Sequence, residues 1–383
     1  MMTRYRALLL PGVVLALSGC LETIQKADLD NRPPDAGVFQ CGDVGPNEWG
    51  VQDAGAAPGL DDAGVQANLF GIWGMSRSAI WAVGDRGRVV FYDGQSWKRQ
   101  DTPTEKRLTA VWGVSATEVW AVGYQGTVLR FNGISWKDRS PKTKVFVPGD
   151  GGPPKGDAAL AARRNLNGVW VAATKGGATN AVYAVGDQGL VLHYDAKTAT
   201  WRDQIPVYAS GQVVLVQDQL NAVWGLSSTA VVAVGDFGTA LVGNSSRLTK
   251  YQTGTTRDLM GVWGRDQDDV YAVGTGGTVL HFRSGRWRAQ SGAPKQVLRG
   301  VWGPAADGSL AYIVGWDGTL LRITGGPTFS KGASFEPFYC VAPRRRLEAV
   351  WGANLTAVVT DAGVQAPHQV WVVGASGMII RGP

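Results

Sequence analysis

Two marks recur seven times along this 383-residue chain, always in the same phase. The first is a tryptophan closing a short apolar run, at Trp73, Trp112, Trp170, Trp224, Trp263, Trp302 and Trp351. The second is a pair of glycines separated by two residues, starting at Gly84, Gly123, Gly186, Gly235, Gly274, Gly315 and Gly374. Three of the six intervals between the tryptophans are 39 residues, and the others are longer by insertion. A fixed period of this kind means one supersecondary unit copied along the chain, each copy relying on its neighbours to bury its apolar faces.

The unit itself reads as four short strands. Strand A ends at the Val-Trp-Gly mark, as in Val111-Trp112-Gly113. Strand B is the alternating run Val119-Trp120-Ala121-Val122, and the double-glycine turn leads from it into strand C, Val128-Leu129-Arg130-Phe131. Alternation with period two is the mark of a strand, and glycine in the turn accepts a positive φ. A second tight turn, Asp93-Gly94 or Asn132-Gly133, opens strand D, which carries a further tryptophan such as Trp97 or Trp136. Asn-Gly and Asp-Gly are strong hairpin signals. Four strands in about 40 residues make one propeller blade, so the fold class is all-β, a seven-bladed β-propeller.

The seventh unit ends too soon to supply its own strand D. Trp49 precedes Trp73 by 24 residues, and residues 47–52 have the right position to serve as the missing strand. Closure by an N-terminal strand removes an exposed sheet edge. The tryptophans at strand positions A, B and D then belong to the packing between blades. Only Trp316 falls in a double-glycine turn, where an indole has no evident packing need.

Ahead of the repeats lies an address. Arg4 and Arg6 precede an apolar run over residues 7–17, followed by Leu17-Ser18-Gly19-Cys20. A basic start, a short apolar core and small residues before a cleavage point make a secretory signal, and the run is short for a membrane span. The Leu-Ser-Gly-Cys ending resembles the bacterial lipobox, which implies a signal peptide over 1–19 and lipid attachment at Cys20. Leu21 after the cysteine resembles the sorting pattern for the outer membrane. Residues 20–45 are rich in Asp, Pro and Gly without apolar periodicity and are expected to form a flexible tether, leaving 46–383 to the propeller. Export puts Cys41 and Cys340 in an oxidising compartment, where a disulfide between them is expected.

The repeats resemble the blades of BNR/Asp-box-type propellers, and in particular those of photosystem II assembly-factor-like proteins. The resemblance rests on Gly261-Val262-Trp263-Gly264, Val270-Tyr271-Ala272-Val273-Gly274, Gly277-Thr278-Val279-Leu280-His281-Phe282 and Trp287. Asp93-Gly94-Gln95-Ser96-Trp97 resembles a shortened Asp-box, while Ser284-Gly285-Arg286-Trp287 lacks the acid. Such a resemblance implies an assembly or recognition platform and no particular ligand. Sialidases share the blade type, so a glycan hydrolase is the alternative. No set of Arg, Tyr and Glu breaks the repeat as a grafted active site would; Arg86, Arg130 and Arg322 sit at ordinary repeat positions. The expected function is therefore binding without catalysis, of an envelope protein or glycan.

In a four-stranded blade the B–C turns share a face with the connections between blades. On that face the candidate binding residues are Arg86, Tyr124, Asp187, Asp236, Phe237, Trp316 and Asp317, joined by the long connections 140–164, 204–219 and 332–346. His193, His281 and His368 are scattered, two of them at repeat-equivalent positions, which is no metal-ligand spacing, and neither a metal nor a cofactor is expected. The net charge of +6 is mild and lacks a long basic block, so nucleic acid is not an expected partner.

Overall fold

A computed structural model describes residues 50–51, 67–141, 164–203, 207–209, 212–304, 310–324, 334–337, 345–354, 358–360, 363–365 and 368–382. Cys20, Cys41, Trp49 and Cys340 lie outside these residues.

Among the described residues seven sheets, each built on four antiparallel strands, follow one another along the chain, beside a separate hairpin of Val358–Thr360 with Gly363–Gln365. Blade one consists of Leu69–Ser76, Ala79–Gly84, Val89–Tyr92 and Trp97–Gln100, strands A to D in that order. The corresponding strands A of blades two to seven are Leu108–Ser115, Leu166–Ala173, Leu220–Ser227, Leu259–Asp266, Leu298–Trp302 and Leu347–Asn354. In all blades but the sixth, strand A runs on past the tryptophan by three residues, further than its sequence mark. Strands A of successive blades pack side by side around the axis, the last against the first.

Blade seven takes its outer strand from the front of the chain. Gly50–Val51 pairs antiparallel with Ile379–Arg381, Gly50 opposite Arg381 and Val51 opposite Ile380. Side-chain contacts also close the ring. Trp351 of blade seven stacks where a Cβ on Gly74 of blade one would lie 2.6 Å from its ring. Trp371 meets Tyr92 and Trp97 at centroid distances of 4.9 and 5.7 Å. The Ser376 amide donates to Asn68 Oδ1 at 2.9 Å.

The tryptophan-on-glycine contact explains why Val-Trp-Gly repeats. Trp73 lies against Gly113, Trp170 against Gly225, Trp224 against Gly264 and Trp302 against Gly352, each on the next blade, at distances that leave no room for a Cβ. Blade three departs from the pattern with Val171 in place of the glycine. The tryptophan that would sit there, Trp112, remains partly exposed, while the other six are buried.

Insertions fold differently from expectation in two places. Part of 204–219 forms a hairpin, Val207–Ala209 with Gln212–Val214, and Val207–Ala209 pairs parallel with the outer strand of blade four, Leu248–Tyr251. Blade four is therefore a six-stranded sheet. Within 332–346, Ser334–Pro337 is the outer strand of blade six, with Phe335 where most blades carry tryptophan.

Two histidines buried inside the blades each lie against a tyrosine. His193 faces Tyr183 at 4.9 Å, and the Tyr183 hydroxyl donates to the Ser228 carbonyl at 2.6 Å. His281 stacks on Tyr271 at 4.5 Å, with Nε2 2.6 Å from Asp269 Oδ1. Burial, and then the Arg202 charge, hold His193 below the usual imidazole range against the opposing pull of Asp195. The fold thus keeps this ring neutral, whereas an unfolded histidine gains its proton near pH ~6.5. Between those two values the unfolded chain binds more protons, so stability falls as pH drops through that window. Thermal melts from about pH 7.5 to 5.5 are expected to show a smaller decline for His193→Gln than for the parent chain.

Candidate functional site

The double-glycine turn has one geometry in every blade. In blade one, Gly84 is extended (φ −165) and Arg86 and Gly87 are left-handed (φ 56 and 66). The first glycine thus serves close approach, because a Cβ there would strike the Asn68 carbonyl oxygen, whereas the second supplies the positive φ. The residue between them is left-handed without being glycine in six blades: Arg86, Gln125, Gln188, Phe237, Asp317 and Ser376. For a bulky side chain this conformation is unusual and strained. Phe237 is the extreme case, left-handed and 70% exposed.

The expected site residues divide once their contacts are seen. Asp187 accepts from the Asn165 amide at 3.1 Å, and Asp236 accepts from Asn221 Nδ2 at 2.8 Å. These carboxylates tie the turn to the start of strand A, as Asp85 does through Asn68. Asp236 titrates above the usual carboxylate range, first through burial; Asn221 opposes this, and the charges of Asp258, Asp218 and Asp187 add to it. Trp316 is partly buried, with the Arg346 guanidinium 4.4 Å over its ring. Its indole therefore has a packing role that the sequence did not reveal. Arg86, Tyr124, Phe237 and Asp317 are exposed on the turns.

A second set of residues, missed from sequence, lies at the inner end of the same face. In all seven blades the A–B pairing slips by one residue directly after the first leucine of strand A. The bulged residues are Phe70, Thr109, Asn167, Asn221, Met260, Arg299 and Glu348, all partly exposed. A β-bulge re-aims its side chain and is frequent beside functional sites. On one side of each lies a fully or nearly fully buried leucine, on the other a glycine or alanine. That small residue lets adjacent inner strands approach, since a Cβ on Gly71 would come within 2.9 Å of Ala110 Cα.

The seven positions surround the axis, and from blade two to blade seven their side chains reach across successive blade boundaries. Thr109 donates to the Leu166 carbonyl at 2.6 Å, Asn167 to that of Leu220 at 3.0 Å, and Asn221 to that of Leu259 at 3.0 Å. Arg299 Nε donates to Glu348 Oε2 at 2.8 Å, and its Nη1 reaches Met260 Sδ at 3.3 Å. Beside Phe70, the Arg107 guanidinium lies between two rings, 4.6 Å from Phe70 and 5.0 Å from Tyr124, and pairs with Asp85 at 2.6 Å. The turn face thus carries an aromatic and arginine sector at blades one and two, and a carboxylate and amide sector at blades three to five. In sequence the position is marked by its variation between a fixed leucine and a fixed glycine or alanine.

Solved structures share this architecture. A structure described as YCF48 bound to D1 peptide matches 89% of this chain and 96% of its own, at 14% identity and a TM-score of 0.57. YCF48 from Cyanidioschyzon merolae matches 88% of this chain and 98% of its own, at 15% identity and a TM-score of 0.55. The WD40 repeats of RRP9 match 90% of this chain and 99% of their own, at 11% identity and a TM-score of 0.61. No family model and no curated protein matches the sequence. At these identities the likeness establishes the propeller fold.

Proposed function

We propose that the turn face binds a protein segment, which crosses the axial ring of bulged side chains and rests on the exposed aromatics of the turns. One observation carries this reading. Seven equivalent positions, each displaced by a bulge, hold six kinds of side chain, asparagine alone occurring twice, while the residues around them repeat. A purely structural ring gains nothing from that variety, whereas recognition of an asymmetric ligand requires it. Exposed Phe237 and Tyr124 provide aromatic anchors of the type that dominates protein interfaces. The peptide named in the YCF48 structure supports a polypeptide ligand for a propeller of this shape.

The role is one of assembly or recognition, without catalysis. Of the turn-face carboxylates, Asp85, Asp187, Asp236 and Asp258 hold backbone or neighbouring side chains, and Glu348 holds Arg299. The lipobox-like sequence at Cys20 supports tethering to the cell envelope, at the outer membrane.

A photocrosslinking residue placed at Phe237 tests the proposal in living cells. A defined protein adduct is expected there and at Tyr124, and none at Ile134, a C–D turn residue that is 89% exposed on the other side of its blade. The same adducts from all three positions would remove the turn face from consideration.

A further inference from the structure

Strand A has a second irregularity, at the end away from the turn face. In blades one, two, four and five its pairing with strand B slips again just after the glycine that follows the tryptophan. The bulged residues are Met75, Val114, Leu226 and Arg265. Arg265 is held by Asp269, to which its Nε donates at 2.7 Å. Met75 and Leu226 are 57% and 48% exposed, and Val114 is partly exposed. The matching residues of blades three and seven, Ala172 and Ala353, are small and buried. A bulge thus turns apolar side chains toward water at this mouth of the axis, whereas the ring at the other mouth carries hydroxyl, amide and charged groups.

The mouth opens on the face made by the A–B and C–D turns, where Ile134 is also exposed. Cations surround it: Arg77 and Lys175 in A–B turns, and Lys197 and Arg286 at C–D turns, are all exposed. Among the described residues of these turns, the exposed acids are Asp266 and Asp268. Asp93 and Asp195 are paired with Lys98 and Arg202, at 2.6 and 2.9 Å. The backbone also reaches the propeller from this side. Ile379–Arg381 runs away from the turn face, and Gly50–Val51 pairs antiparallel with it, Gly50 opposite Arg381. The chain therefore arrives at Gly50 from the A–B and C–D side, with Cys20 standing 30 residues upstream.

We propose that this face rests on an anionic lipid surface, so that the turn face is presented away from the membrane to its partner. The inference builds on the tethering read from the lipobox-like sequence at Cys20. Attachment upstream of Gly50 tethers the propeller by this side, and the side chains found there suit what it meets. A bilayer surface offers negative headgroups to Arg77, Lys175, Lys197 and Arg286, and apolar cover to Ile134, Met75 and Leu226. The aromatic turns, Phe237 and Tyr124, lie at the opposite ends of the same blades and stay clear of the lipid.

The full chain, expressed with its lipid and reconstituted into vesicles of phosphatidylethanolamine and acyl-brominated phosphatidylglycerol, tests the proposal. An environment-sensitive fluorescent residue is placed at Ile134 or at Phe237. Flotation with the vesicles reports the anchor, and quenching by bromine reports the face that meets lipid. Quenching is expected at Ile134 and not at Phe237, and it should weaken when brominated phosphatidylcholine replaces the anionic lipid. Arg77→Glu with Lys197→Glu should lower the quenching at Ile134 about twofold or more. Flotation and melting temperature should be unchanged in that variant, because both side chains are exposed. A chain that floats with Ile134 unquenched, or with both positions quenched alike, would overturn the inference and leave the anchor standing. A chain that does not float would remove the tethering reading and this inference with it.

Discussion

Replacing Trp351 with alanine is expected to destabilise the protein by about 3–5 kcal/mol, the cost of emptying a large aromatic site in a core. Trp351 is 7% exposed and seals the junction of the last blade with the first, where its ring occupies the space left by Gly74. In a ring, loss at one junction lets the two neighbouring sheets separate, so little local collapse is available to fill the cavity. The reverse change, Gly74→Val, should be of similar severity, because its first added carbon would already lie 2.6 Å from the indole. Trp112→Ala provides the comparison. Trp112 is partly exposed and faces a blade with Val171 in place of glycine, so its removal should cost less than half as much. Denaturant melts of the three variants against the parent chain measure this order.

Deletion of residues 1–52 is expected to lower stability by about 2–4 kcal/mol. The pairing places Gly50–Val51 alongside the strand that carries Ile379 and Ile380, which are 1% and 0% exposed. Exposing an isoleucine side chain fully costs about 1.5–3 kcal/mol, and loss of the strand exposes part of each. Deletion of residues 1–45 leaves the strand in place and should melt like the parent. A 1–52 deletion that melts with the parent would mean that the strand is not holding the ring.

The repeat made most of the fold readable because every strand and turn is stated seven times, and local ambiguity in one copy is resolved by six others. The borrowed strand was legible from arithmetic alone: a unit lacking its last strand and a tryptophan placed one strand ahead of the first. The folded insertions were less legible. The run at 207–216 is apolar but stands outside the repeat, so nothing in the other copies marks it as a hairpin, and Phe335 does not carry the expected tryptophan. The bulges were hidden for a different reason. Strand composition does not reveal register, and a single extra residue between Leu69 and Gly71 changes no propensity. The turn residues, set between fixed glycines, are by contrast conspicuous in the sequence. There the sequence located Phe237 and Tyr124 but gave no sign that Asp187 and Asp236 are tied to their own blades, or that Trp316 lies under Arg346.

The two sets of residues meet on one face, which is the centre of the functional account. Removing the ring's chemistry while sparing the turns separates them. Arg299→Ala and Glu348→Ala together delete an ion pair without stranding either charge, and Met260→Ala removes the neighbour that Arg299 touches. The most direct measurement is the yield of the Phe237 adduct in this triple variant, taken alongside its melting temperature. With folding retained, a loss of tenfold or more is predicted, since a few central residues carry most of an interface's energy. An undiminished yield from the folded variant would contradict the assignment of the bulged ring to binding.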